Sequence, residues 1–176
     1  MKLFAVAALF VLCASARAAS TDAVVVDIPG DDSCMSATGE KGFDVATWSV
    51  GGTIQLPVGG TGSSAKPVLQ DLVLTRNQDA CSEALIKYFV SGTVLPMLTL
   101  TDYRTAGSQK YAAVTVTLTK TALVNYSISG GTGIKPTENL DFQYGQVCVQ
   151  TIAQNADGTL KPPVKVCYNA LTNVVS

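Results

Sequence analysis

Alternation with period two runs through most of the chain. Ala113 to Thr119 reads A-V-T-V-T-L-T, with Val114, Val116 and Leu118 on one face and Thr115, Thr117 and Thr119 on the other. Leu98-Thr99-Leu100-Thr101 begins the same pattern, and Leu72-Val73-Leu74-Thr75 is a short apolar run. Such patterns rich in β-branched residues are half-buried strands. They predict strands over 23–28, 43–56, 68–76, 97–103, 111–129, 140–152 and 164–175, separated in several places by Gly-rich breaks. One segment differs: from Ala80 to Val90, Cys81, Leu85, Tyr88 and Phe89 recur at helical spacing, with Glu83 and Lys87 on the wet side. Asp79 is placed to cap that helix and Gly92 to end it. The expected fold is mainly β: a barrel or sandwich with one short helix plugging one end.

The pattern also locates an irregularity and a crosslink. Leu140, Phe142 and Tyr144 share one parity and Val147 and Val149 the other, so the core face switches near Gly145-Gln146; a β-bulge is the economical cause. Asp157-Gly158 signals a two-residue hairpin turn, which sets Cys148 opposite Cys167 on one face. Pro163 falls at a hydrogen-bonding position of that register and disturbs it.

The N-terminus stands apart from the domain. Met1-Lys2, an apolar run from Leu3 to Cys13 and the A-x-A sequence Ala16-Arg17-Ala18 form a secretory signal, too short to span a membrane. Residues 1–18 are therefore expected to leave, and 19–176 to form one domain in a secreted, extracellular or periplasmic protein. Losing Lys2 and Arg17 takes the net charge from −1 to −3. Cys13 leaves too, and the four remaining cysteines, Cys34, Cys81, Cys148 and Cys167, read as two disulfides in an oxidising compartment. With Cys148–Cys167 assigned by the hairpin, Cys34–Cys81 remains, tying the loop after the first strand to the start of the helix.

Composition narrows the chemistry. Charged residues are 14% of the 176 and hydrophobic ones 47%, with no basic stripe for nucleic acid. Histidine is absent, which removes Ser-His-Asp and Cys-His mechanisms and imidazole metal ligands. No catalytic residue, cofactor site or metal site is assigned. Gly60-Thr61-Gly62-Ser63-Ser64-Ala65 with Lys66 imitates a phosphate loop but leads into a strand where a helix is required. Asp27, Asp31 and Asp32 lack the spacing of a calcium loop and read as a solvated turn. Trp48, the single tryptophan, reads as core. Asn125-Tyr126-Ser127 is an N-glycosylation acceptor in a eukaryotic source.

Several segments in order resemble Hcp, the tube protein of type VI secretion systems. They are Phe43-Asp44-Val45-Ala46-Thr47-Trp48-Ser49-Val50-Gly51, Gln70 to Arg76 ahead of the helix, Val116 to Lys120, Ser127 to Gly131, Thr137 to Leu140 and Gln146-Val147. The resemblance covers about residues 23 to 175. It implies a two-sheet β-barrel with a side helix, an extended loop at Leu56–Pro67, and six-membered homo-oligomeric rings able to hold a protein partner or cargo. Hcp proteins normally lack signal peptides and disulfides, and this chain carries the marks of both. Two functions follow: a non-enzymatic subunit of rings or tubes, or a secreted monomeric binding module or effector that uses its Gly-rich loops for recognition. Outward rows containing Thr115, Thr117, Thr119, Gln146 and Gln150 suit close subunit packing, since uncharged polar groups cost less to desolvate than charges.

Overall fold

The computed structural model describes residues 22–54 and 66–176. The signal segment, the Leu56–Pro67 loop up to residue 65 and the phosphate-loop imitation up to Ala65 lie outside the described residues. The elements run β1 (Ala23–Asp27), β2 (Phe43–Asp44), β3 (Thr47–Thr53), β4 (Val68–Asn77), α1 (Ser82–Ser91), β5 (Val94–Ala106), β6 (Gln109–Gly131), β7 (Ile134–Thr151), β8 (Val164–Asn169) and β9 (Val174–Val175). All pairings are antiparallel, in the order β2-β1-β5-β6-β7-β4-β3, with β8 and β9 beyond β7.

The barrel closes through a strand the sequence reads as continuous over 43–56. Its first part, β2, pairs with β1 and its second, β3, with β4. Between them the Val45 N–H donates to the Val24 carbonyl (2.9 Å) and the Ala46 N–H to the Thr75 carbonyl (2.8 Å). Residues 45–46 thus hand the strand from one neighbour to the other and join the two ends of the sheet. Val26, Phe43, Leu72, Leu74, Leu98, Leu100, Val116, Leu118, Leu140 and Phe142 fill the interior, with Leu85 entering from the helix.

The helix is shorter than the spacing predicts and capped differently. Cys81 holds the N-cap position without a side-chain cap bond. Asp79 acts two residues earlier, its carboxylate accepting the Cys81 N–H at 2.8 Å. Phe89 is not core: it is 37% exposed and its ring meets that of Tyr126 at 6.0 Å between centroids. Gly92 ends the helix in the left-handed conformation, as expected.

The change of core face at Gly145 is real, but no bulge causes it. Thr119 pairs with Gln146 and Thr121 with Tyr144, so the register is unbroken and no extra residue is inserted. The strands change face together instead. In β7 burial passes from Tyr144 to Val147, in β6 from Leu118 to Thr121, and in β5 from Leu95 to Leu98. The residues skipped are Pro96, Lys120 and Gly145, which register places side by side. Pro96 brings no N–H, Lys120 takes a left-handed backbone (φ 51°), and Gly145 leaves room for Leu171. This line folds the long strands into two walls. β8 continues one wall from the second half of β7, and β4 continues the other from the first half.

The predicted disulfide is present: Cys148 and Cys167 are directly opposed and bonded, with Cα atoms 4.0 Å apart. The turn that leads there is longer than the two residues read from Asp157-Gly158. Asn155 N–H donates to the Thr159 carbonyl, enclosing Ala156-Asp157-Gly158. Gly158 supplies the left-handed position (φ 89°) of a three-residue turn. The resulting one-residue offset (Gln154 opposite Leu160) is cancelled at Pro162-Pro163, and the ladder resumes with Thr151 opposite Val164.

One charged cluster lies inside the barrel. Arg76 and Glu138 are both fully buried and directly opposed across β4 and β7. Their closest contact is 3.4 Å, from Arg76 Nη1 to Glu138 Oε2. Arg76 Nη2 also meets the half-exposed Asp79 carboxylate, and its guanidinium lies 4.8 Å from the Phe43 ring centroid. Tyr126 donates its hydroxyl hydrogen to Glu138 Oε1 at 2.7 Å. Burial, then this bond, pushes the Tyr126 phenol well above its ordinary range. Burial works against the Asp79 carboxylate, but hydrogen bonds from Arg76 and the Cys81 amide outweigh it and hold its pKa below the ordinary 3.8.

Three outcomes follow for stability. Lys120→Gly should be neutral or stabilising by up to about 1 kcal/mol, whereas Lys120→Val should cost about 1–2 kcal/mol, because a β-branched residue resists positive φ. Urea denaturation compares the two. Arg76→Met leaves Glu138 buried without a countercharge and should cost about 3–5 kcal/mol, with more than half recovered in Arg76→Met/Glu138→Leu. A double variant no more stable than the single one would show that the pair is not the source of the loss. A depressed carboxylate pKa stabilises the fold above the unfolded value and loses that contribution as pH falls through the folded one. Asp79 should therefore steepen the loss of stability below about pH 4, and Asp79→Asn should flatten that limb in an acid titration followed by circular dichroism.

Candidate functional site: the polar wall

The wall made by β1, β5, the first half of β6, the second half of β7 and β8 carries its polar residues outward in registered rows. One row runs Asp27, Thr99, Thr117, Cys148 and Cys167; the next runs Val25, Thr101, Thr115, Gln150 and Lys165. A third holds Met97, Thr119, Gln146 and Asn169, where the Thr119 hydroxyl donates to Gln146 Oε1 at 3.4 Å. The structure thus brings together all five residues singled out for packing. Their alternation with Val116, Leu118, Val147 and Val149 turns them outward, and cross-strand Thr–Thr neighbours contribute roughly 0.2–1 kcal/mol per pair. Charges sit only at the ends of these rows, at Asp27 and Lys165.

The β1–β2 loop overhangs one end of the wall. With Val25, Met97, Thr99, Thr101 and Tyr103 it encloses a cleft of about 330 Å³ bordered by Pro29, Glu40 and Lys41. Lys110 fixes the rim, donating to Glu40 Oε1 at 2.7 Å and lying 4.3 Å from the Tyr103 ring centroid. The loop turns on itself through Ser36 and Glu40, and Lys41 pairs with Asp32. Nothing in the period-two pattern marks this overhang, because its residues come from a loop.

The remaining candidates are scattered. Asp31 accepts hydrogen bonds from Ser33 and, at 2.9 Å, from the Tyr88 hydroxyl, while Asp32 serves Lys41. Burial and the Asp31 contact push the Tyr88 phenol up to about 12. Among the described residues no three His, Cys, Asp or Glu side chains gather as metal ligands. Trp48 is half-buried against the core. Asn125 is exposed in β6, beside a bulge, and its amide donates to Asp141 Oδ2 at 2.9 Å. Cys34 and Cys81 are two buried thiols, unbonded in this structure. Among the described residues no helix is long and apolar enough to cross a membrane.

The architecture has relatives among solved structures. One described as a type six secretion system protein is 22% identical and superposes with a TM-score of 0.77, over 88% of this chain and 99% of its own. Hcp1 from Salmonella typhimurium is 20% identical with a TM-score of 0.70, over 88% and 99%. Hcp2 from Salmonella typhimurium is 18% identical with a TM-score of 0.61, over 86% and 98%. No curated protein sequence matches the chain. At such identities the likeness speaks for the fold. The family model described as "Type VI secretion system effector, Hcp" matches residues 24–150, most of the chain and all of the wall except Ala23, Thr151 and β8. The chain belongs to the Hcp family of type VI secretion proteins.

Proposed function

We propose that this chain is a non-enzymatic structural subunit, exported through its N-terminal segment, that packs with copies of itself into rings of the type VI secretion tube kind. The observation that carries the reading is the family membership over residues 24–150, together with the uncharged rows on the polar wall. A surface of Thr and Gln can be covered by a second subunit at small desolvation cost, and it offers hydrogen bonds that fix the packing. Head-to-tail contacts between identical subunits close into rings or continue as filaments. A mature charge of −3 per subunit is compatible with six copies at modest salt. The number six rests on the family, and so does a lumen able to hold a protein passenger. Export rests on the signal-like residues 1–18, with cleavage after Ala18.

Light scattering of the exported protein at micromolar concentration tests assembly, and its intact mass tests whether the chain begins at Ala19. A ring mass is expected. A monomer mass that does not change with concentration would overturn the assembly reading and leave a monomeric binding module. Thr115 and Gln150 are cross-strand neighbours, so Thr115→Lys/Gln150→Lys sets two like charges side by side. The expected outcome is monomers whose melting temperature stays within a few degrees of the parent. Rings that persist would place the subunit contact on another face.

A further inference from the structure

We infer that Cys34 and Cys81 are a second disulfide site, closed while the chain folds and sealed once the helix has docked. The two cysteines are far apart in sequence, one in the β1–β2 loop and the other at the N-cap of α1. The fold buries both, 6% and 3% exposed, in the same core cluster. They line one small space of about 10 Å³ with Val26, Ile28, Phe43 and Leu85, which leaves room for no ligand between them. Both side chains border that one space from opposite elements, the loop and the helix start. Two thiols held together in an apolar pocket are in the arrangement that one oxidation converts to a crosslink.

The same burial decides when the bond can form. Exchange needs a thiolate and access to a disulfide-bearing reagent. Burial first, then the contact with Cys34 and the charge of Asp79, pushes the Cys81 thiol far above its ordinary range. In the unfolded chain neither restraint exists. One cysteine, as thiolate, attacks a sulfur of a small disulfide or of a thiol–disulfide oxidoreductase, giving a mixed disulfide and releasing one thiol of the reagent. The other cysteine then attacks the protein sulfur and expels the second thiol. The protein loses two electrons and two protons, and the reagent's disulfide becomes two thiols. The bond would fasten the β1–β2 loop, whose Glu40 and Lys41 border the cleft on the polar wall, to the start of α1.

The full chain, reduced and unfolded, is refolded in a mixture of reduced and oxidised glutathione, blocked with iodoacetamide in denaturant, and digested without reduction. A Cys34–Cys81 linked peptide beside Cys148–Cys167 is expected. Alkylated Cys34 and Cys81 beside an intact Cys148–Cys167 would overturn the site, and so would any link between the two pairs. In a second arm the chain is folded reduced and then placed in the same mixture. Closure of Cys34–Cys81 should be more than about tenfold slower than during refolding. Equal rates would overturn the sealing. Cys34→Ala/Cys81→Ala, in which the pocket stays apolar, should refold but give a lower urea midpoint than the oxidised parent. An unchanged midpoint would mean that no bond had constrained the chain.

Discussion

The barrel depends on a single fold line. Strands of 23 and 18 residues, β6 and β7, are far longer than one wall of a small barrel, and a regular strand keeps the same residues facing inward along its whole length. Carried straight on from Leu118, β6 would turn Thr121 outward, and carried straight on from Tyr144, β7 would turn Val147 outward. Pro96, Lys120 and Gly145 resolve this by changing face in three adjacent strands at the same level. Because no residue is inserted, the ladder on either side keeps its register, and both walls keep their inside-outside alternation. The groove left at the line, about 520 Å³, is lined by Lys120, Gln143, Gly145 and Leu171 among others.

The buried Arg76–Glu138 pair works on the opposite wall. It joins the end of β4 to β7 where the helix begins, and it reaches Phe43 of β2, Asp79 before α1 and Tyr126 of β6. Four elements therefore share one charged centre. An apolar substitute of equal volume could fill the space, but it would not select among strand registers as a pair of opposed charges does. A two-residue slip of β4 on β7, which keeps every face, would set Arg76 against Leu140 or Pro136 and leave both charges unpaired in the core. An apolar core discriminates weakly against a slip that keeps every face, whereas separating the buried pair costs about 3–5 kcal/mol.

Much of this was legible from parity. The rows of Thr115, Thr117 and Thr119 and the location of the face change follow from which residues alternate; for Cys148–Cys167 alternation gives the shared face, while the register expected from a two-residue turn is reached through a three-residue turn and a compensating offset. The cause of the face change did not follow, because one strand's pattern shows a change of parity but not that its neighbours change beside it. The inward charges were readable and overlooked. Arg76 continues the buried parity of Leu72 and Leu74, Glu138 that of Leu140 and Phe142, and Asp102 that of Leu98 and Leu100. A charge in phase with core residues marks a buried charge with a partner: Asp102 is held at 2.7 Å by the half-exposed Arg104, and Arg76 pairs with the buried Glu138. The overhanging β1–β2 loop and the three-residue turn at Ala156–Gly158 had no periodic signal, since loops are shaped by side-chain hydrogen bonds and backbone specials that do not repeat.

The Cys148–Cys167 crosslink sits where the hydrophobic core does least. β8 exposes Val164 and Val166 and contributes no fully buried side chain, so its place at the edge of the polar wall rests on the ladder to β7 and the Cys148–Cys167 bond. At the other edge the β1–β2 loop hangs over the wall, and the ion pair that ties it to β6, Lys110–Glu40, is worth little in water, about 0–1 kcal/mol. Cys34 lies at the root of that loop, where a bond to Cys81 would do for one edge what the hairpin disulfide does for the other. The middle of the wall needs no such help, because Leu98, Leu100, Val116 and Leu118 are fully buried behind it. A sheet is weakest at its margins, and the Cys148–Cys167 bond restrains one margin of the polar wall without adding charge or bulk to its face.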